Sequence, residues 1–220
     1  MKKSIYLFIC ILGYLLYGIT IVLYTGASGN IMFVWNVFLG FLPFLFVQIL
    51  FIYRQKERPK KGVIILLSLL WLIFFPNSPY MVTDLMYFTS SSCIDGNTMY
   101  SLFFWVKLLY IGSGVLFAAL LGLSSLYGMH KLILRWKGRV YGSVFLAAVC
   151  FLSGFAIYLG RMLRFNSWDI LRPFSLLTTV VRQLDLFAVL FSLLFGAYIA
   201  GSYIVYYFIA SGRQTAHDIV

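Results

Sequence analysis

The sequence predicts an all-α, polytopic membrane protein of about six transmembrane helices with both termini in the cytoplasm. Three observations carry this expectation. Of the 220 residues, 62% are hydrophobic and only 10% charged, with a mean hydropathy of +0.95. Apolar runs of about 20 residues recur, the length at which a helix crosses a ~30 Å hydrocarbon core with its backbone hydrogen bonds satisfied internally. The 17 basic residues sit mainly in short segments between these runs, so a net charge of +11 reports orientation in a bilayer and no nucleic-acid partner is expected.

The spans are expected at about 4–25, 31–53, 62–82, 100–127, 140–160 and 185–209. The first follows Met1-Lys2-Lys3 and has the outline of a signal peptide, with small residues at Thr25 to Gly29. Its apolar run exceeds the 7 to 15 residues of an ordinary signal core, which favours an uncleaved span. The second ends at the basic connection Arg54 to Lys61. The third loses its apolar pattern early, at Phe75-Pro76-Asn77-Ser78-Pro79-Tyr80. The fourth and fifth flank a basic connection from Lys131 to Arg139, and the sixth runs out towards Arg213. Gly112, Gly114, the pair Ala118 and Gly122, and the pair Ala197 and Gly201 are expected at close helix contacts. No repeat or soluble-domain boundary appears, so residues 1–220 are expected to form one membrane domain.

If the spans alternate, one side collects Lys2, Lys3, the Arg54–Lys61 cations, those of Lys131–Arg139, and Arg213, which is twelve of the 17 cations. The other side holds Lys107, Arg161, Arg164, Arg172 and Arg182 with Asp84, Asp95, Asp169 and Asp185. The positive-inside rule assigns the first side to the cytoplasm. Cys93 then faces outward, and in intact cells it is expected to react with an impermeant maleimide; protection until lysis would overturn the orientation. With three cysteines, Cys10, Cys93 and Cys150, no disulfide framework is implied.

The break at Pro76 and Pro79 comes about 13 residues into its span, about 20 Å from the cytoplasmic edge at 1.5 Å per residue. Two prolines remove backbone donors there, and lipid cannot satisfy the carbonyls left behind. The break is therefore expected either to line a pocket or to be a kink in which Asn77 caps a short helix. Beyond the fifth span, Arg161 and Arg164 are three apart, sharing one face if the helix continues and presenting two guanidinium groups to a phosphate or carboxylate. In the alternative they pair with Asp84, Asp169 or Asp185, with Trp168 anchored at the headgroup level. Trp35 and Asn36 lie early in the second span, at the same depth. The candidate ligand-binding set is Trp35, Asn36, Asn77, Tyr80, Arg161, Arg164, Asn166 and Trp168, with Asp84 and Asp169 as candidate catalytic carboxylates.

Trp35-Asn36, then Phe75 to Tyr80 with Thr83-Asp84-Leu85, then Gly160-Arg161 with Arg164, Asn166, Ser167, Trp168 and Asp169 resemble a bacterial family of uncharacterised multi-pass membrane proteins, domain of unknown function 1361. The resemblance extends from about residue 30 to 175. It implies a polytopic protein of the bacterial cell envelope, in the plasma membrane, and brings no established activity. Family members often carry a tryptophan where this chain has Phe165, and some a histidine where it has Met86 and Tyr87.

His130 and His217 lie on the expected cytoplasmic side, and no metalloprotease, Walker or nucleophile-elbow motif occurs, so neither a metal nor a cofactor is expected. Three function classes remain. An envelope-lipid enzyme would use Asp84 or Asp169 as general base and the arginines on a phosphorylated lipid or lipid-linked intermediate. A transporter or binder would hold a small anionic or amphipathic solute with the same residues. A scaffold would use aromatic faces such as Phe103, Phe104, Trp105, Tyr203, Tyr206 and Tyr207. The bilayer is the partner expected in every case; a scaffold's aromatic faces would pack against partner helices, and the sequence does not identify a protein partner.

Overall fold

The computed structural model describes residues 28–86, 102–165 and 184–217, with the isolated positions Leu12, Leu15, Leu16, Gly18 and Ile19. Every regular element among them is helical: α1 Ser28–Arg54, α2 Lys61–Phe74, the single turn α3 Asn77–Tyr80, a 3-10 turn Met81–Leu85, α4 Leu102–Lys137, α5 Arg139–Arg161 and α6 Leu186–His217. Five stretches are long and apolar enough to cross a membrane: Met32–Arg54, Lys61–Leu85, Phe104–Lys137, Arg139–Arg161 and Leu186–Ser211. The expected span 4–25 lies largely outside the described residues. Where Gly18 is described, a Cβ would overlap the Tyr110 hydroxyl and come within 2.8 Å of Val34, so Gly18 itself lies against α1 and α4.

Two boundaries differ from expectation. The fourth span does not end near 127 but continues as helix to Lys137, because Leu132, Ile133 and Leu134 extend the apolar face past the first cations. The basic connection thus shrinks to one residue, Gly138, whose φ of 89° and ψ of −177° are accessible essentially to glycine alone. The third span is completed by three pieces, α2, α3 and the 3-10 turn, because Pro76 and Pro79 interrupt the ladder.

The helices assemble in two linked groups. α1 packs against both α2 and α4, while α5 lies along α6 in the most extensive helix pair, and α4 joins the groups. Trp71 of α2 is 1% exposed; its indole N–H donates to Ser125 Oγ at 3.1 Å, and its ring stacks on Phe145 of α5 at 5.9 Å. Burying a tryptophan among apolar helices requires such a partner for its one donor.

Glycines decide how close the helices come. Gly40 and Gly122 receive the broken segment: a Cβ on Gly122 would stand 2.5 Å from Ser78 Cβ, and one on Gly40 would stand 3.6 Å from the Asn77 carbonyl oxygen and Ser78 Cα and 3.2 Å from Ala118 Cβ of α4. The expected role of Ala118 and Gly122 in close packing is thus met. Among the described residues, nothing lies within 4 Å of a Cβ placed at Gly112 or Gly201, so neither makes the expected close contact with a described helix. The α5–α6 contact instead runs through Gly154, where a Cβ would overlap the Ser192 carbonyl oxygen, and Gly196, where a Cβ would stand 3.3 Å from the Cys150 carbonyl oxygen. Ser192 is itself buried and donates its hydroxyl to Ala188 C=O at 2.7 Å, which satisfies that donor within its own helix.

Candidate functional site

The break in the third span closes on itself. With no N–H at Pro76 or Pro79, the ladder loses two donors. Local bonds replace them: the Asn77 side-chain amide donates to Phe74 C=O at 3.0 Å, Ser78 N–H to Phe75 C=O at 3.1 Å and Tyr80 N–H to Pro76 C=O at 3.0 Å. Ser78 Oγ donates across to Gly40 C=O at 2.7 Å, tying the break to α1. Asn77 is therefore spent on the backbone, but not as the expected cap of the short helix: it is that helix's first residue, Pro76 stands at the cap position with no side-chain bond, and the Asn77 amide reaches back to the end of α2. The sequence reading did not single out Ser78, although a small hydroxyl between two prolines is the signal for such a bridge.

The short helix and the 3-10 turn then deliver Asp84 to the bundle interior, where it is 1% exposed. Arg161 Nη2 reaches Asp84 Oδ1 at 2.9 Å, and Asn36 Nδ2 donates to Asp84 Oδ2 at 3.0 Å. The Arg161 guanidinium carbon also lies 5.0 Å from the centre of the Tyr80 ring. Gly160 makes room for that ring, since a Cβ there would meet Tyr80 at 3.4 Å. Asn36 from α1, Tyr80 and Asp84 from the broken span, and Arg161 from the end of α5 therefore share one site. A carboxylate removed from water requires compensation for both oxygens, and here a cation and an amide provide it.

Other candidates lie apart. Trp35 is 45% exposed and contacts Phe38 rather than Asp84. The shared helical face for Arg161 and Arg164 does not form: α5 ends at Arg161, Phe165 N–H turns back to Leu159 C=O at 3.1 Å, and Arg164 adopts a left-handed φ of 56° with its side chain exposed. Asp185 serves as a helix cap, its Oδ1 accepting from Ala188 N–H at 2.8 Å at the start of α6. Asn166, Trp168 and Asp169 lie outside the described residues, as do Cys10 and Cys93.

A cleft of ≈ 50 Å³ opens on the other side of the broken segment, between α4 and α6, lined by residues including Phe75, Ser78, Pro79, Leu123, Tyr198 and Ser202. The residue after Pro79 is Tyr80, so one turn of helix faces the cleft on one side and Arg161 on the other. Among the described residues no cluster of His, Cys, Asp and Glu is placed to hold a metal.

Apolar spans enclosing a buried ion pair, with basic connections outside the bundle, define an all-α polytopic integral membrane protein. Residues 35–201 match the family described as protein of unknown function DUF1361, and the chain belongs to that family. The match begins at Trp35 and continues past residue 175 into α6, further than the motifs alone indicated. Comparison with curated proteins and with solved structures finds no match.

Proposed function

We propose that the protein binds an anionic, phosphorylated lipid headgroup at the Asp84 end of the bundle, on the outer face of a bacterial plasma membrane. The observation that carries this reading is the division of labour between the two arginines: Arg161 is clamped by Asp84 and Tyr80, whereas Arg164 is turned outward three residues later. A guanidinium fixed at a helix end beside an exposed one suits a phosphate with several acceptor oxygens. The adjoining cleft, mostly apolar, suits part of an acyl chain. In this reading Asp84 positions Arg161, since both of its oxygens are engaged, and chemistry on a lipid-linked intermediate would fall to Asp169.

The test is native mass spectrometry of lipids retained by the purified protein, comparing wild type with Arg164→Gly. Glycine accepts the left-handed backbone, so the variant removes the charge without straining the turn. The expected result is at least a severalfold loss of one bound anionic lipid per protein in the variant, with thermal stability unchanged or raised. Equal lipid retention would remove the headgroup site. It would favour a scaffold reading, supported by the fact that Asp84 and Arg161 already neutralise one another.

A further inference from the structure

The end of the bundle opposite Asp84 carries a different surface. Around the Gly138 corner, Arg135, Trp136, Lys137, Arg139, Val140 and Tyr141 are all exposed, with Trp136 at 72% and Tyr141 at 62%. The one-residue turn compresses three cations into five positions, because neither α4 nor α5 unwinds before Gly138 reverses the chain. No acidic residue occurs between Asp95 and Asp169, so nothing within this helical hairpin neutralises them. The negative end of α4 and the positive end of α5 meet at the same point and offset one another, leaving the side chains to set the field.

The aromatic residues at the corner are placed for an interface. Lys137 Nζ sits 4.5 Å from the Trp136 ring centre, and about two α4 turns earlier Lys131 Nζ sits 4.6 Å from the Tyr127 ring. Amphipathic rings and cations alternating at the end of two apolar spans lie at the depth of lipid headgroups. The structure assigns this corner as a site for an anionic phospholipid, with the phosphodiester held by Arg135, Lys137 and Arg139 and the glycerol region against Trp136 and Tyr141. This end and the Asp84 end are separate, and the inference does not depend on the function proposed above. An anionic lipid is favoured over a soluble acidic partner because exposed Val140 and Val144 continue directly from the cations into the apolar span. A soluble partner would meet only half of that surface.

Clusters of cations beside a membrane span gain from each charge near an anionic surface, so removing three is expected to weaken binding about a hundredfold. The experiment reconstitutes the full chain in nanodiscs of phosphatidylcholine with a minor fraction of phosphatidylglycerol and counts retained phosphatidylglycerol by native mass spectrometry. Wild type is compared with three variants. The triple variant Arg135→Gln, Lys137→Gln, Arg139→Gln is expected to lose the retained lipid. A charge-matched control, Lys56→Gln, Arg58→Gln, Lys60→Gln in the other basic connection, is expected to keep it. Trp136→Ala, at a ring 72% exposed, is expected to lower retention severalfold with all cations intact. Three results would each overturn the assignment: no preference for phosphatidylglycerol in the wild type, equal loss in the control, or full retention in Trp136→Ala. Retention undiminished in the triple variant, or binding of an acidic soluble protein that excludes the lipid, would do so as well.

Discussion

Arg161→Ala is expected to destabilise the protein by about 3–5 kcal/mol, because it leaves Asp84 buried with Asn36 as its described partner. The cost comes less from the lost attraction than from the stranded carboxylate. Removing both charges together should therefore be milder than the two single changes predict. In a double-mutant cycle of Arg161→Ala and Asp84→Ala, followed by denaturant unfolding in detergent, the coupling is expected to exceed about 1 kcal/mol. Strict additivity would mean that the 2.9 Å contact contributes nothing and that Asp84 is compensated elsewhere. Asn36→Ala offers a graded comparison. It removes one uncharged donor from the same carboxylate and is expected to cost about 1–3 kcal/mol.

Gly154→Ala is the second change with a large expected effect. A methyl group there would meet the Ser192 carbonyl oxygen and stand 2.9 Å from the Gly196 amide nitrogen. Both are backbone atoms of α6, so no side-chain rotation relieves the overlap and α5 must move away from its main partner. Overpacking in a close-packed interior costs about 1–3 kcal/mol when side chains can yield, and here the upper end or more is expected. Gly201→Ala on α6 supplies the control. Nothing lies within 4 Å of its added carbon, and a helical alanine is favoured over glycine by about 0.5–1 kcal/mol. Thermal unfolding should thus move in opposite directions for the two substitutions. A shared direction would show that the α5–α6 crossing is not set by Gly154.

The aromatic residues between α5 and α6 explain why that crossing can be tight at one level and filled at another. Phe191 stacks on Phe195 at 4.6 Å and meets Tyr158 of α5 edge-on at 5.9 Å. Gly154, one turn before Tyr158, sits where backbones touch. In lipid the hydrophobic effect does little to bring helices together, so such close van der Waals contact supplies much of the association.

Several features needed only the order of residues. Composition and the length of the apolar runs determined an all-α membrane architecture, since in hydrocarbon only a helix or a closed barrel satisfies its own backbone. Pro76 and Pro79 marked the break, because a missing N–H is a covalent fact independent of packing. The scarcity of acidic residues made Asp84 a candidate for pairing with Arg161, and Asn36 belonged to the same depth.

The tertiary structure alone decided which candidates meet. Trp35 and Asn36 are neighbours in sequence, yet a helix turns by about 100° per residue, and only Asn36 faces Asp84. Arg161 and Arg164 part company because the chain leaves the helix between them. Gly154 and Gly201 look alike in sequence, and one is pressed against a carbonyl while the other faces open space. The physical reason is common to all three cases. In water a helix shows its buried side by an apolar stripe, but these spans are apolar all round, with Leu66, Leu109 and Leu194 outside and Leu50 and Leu126 inside. Lipid and protein interior are equally acceptable to a leucine, so rotation of each span about its axis is fixed by the few polar and small residues whose partners lie on other helices.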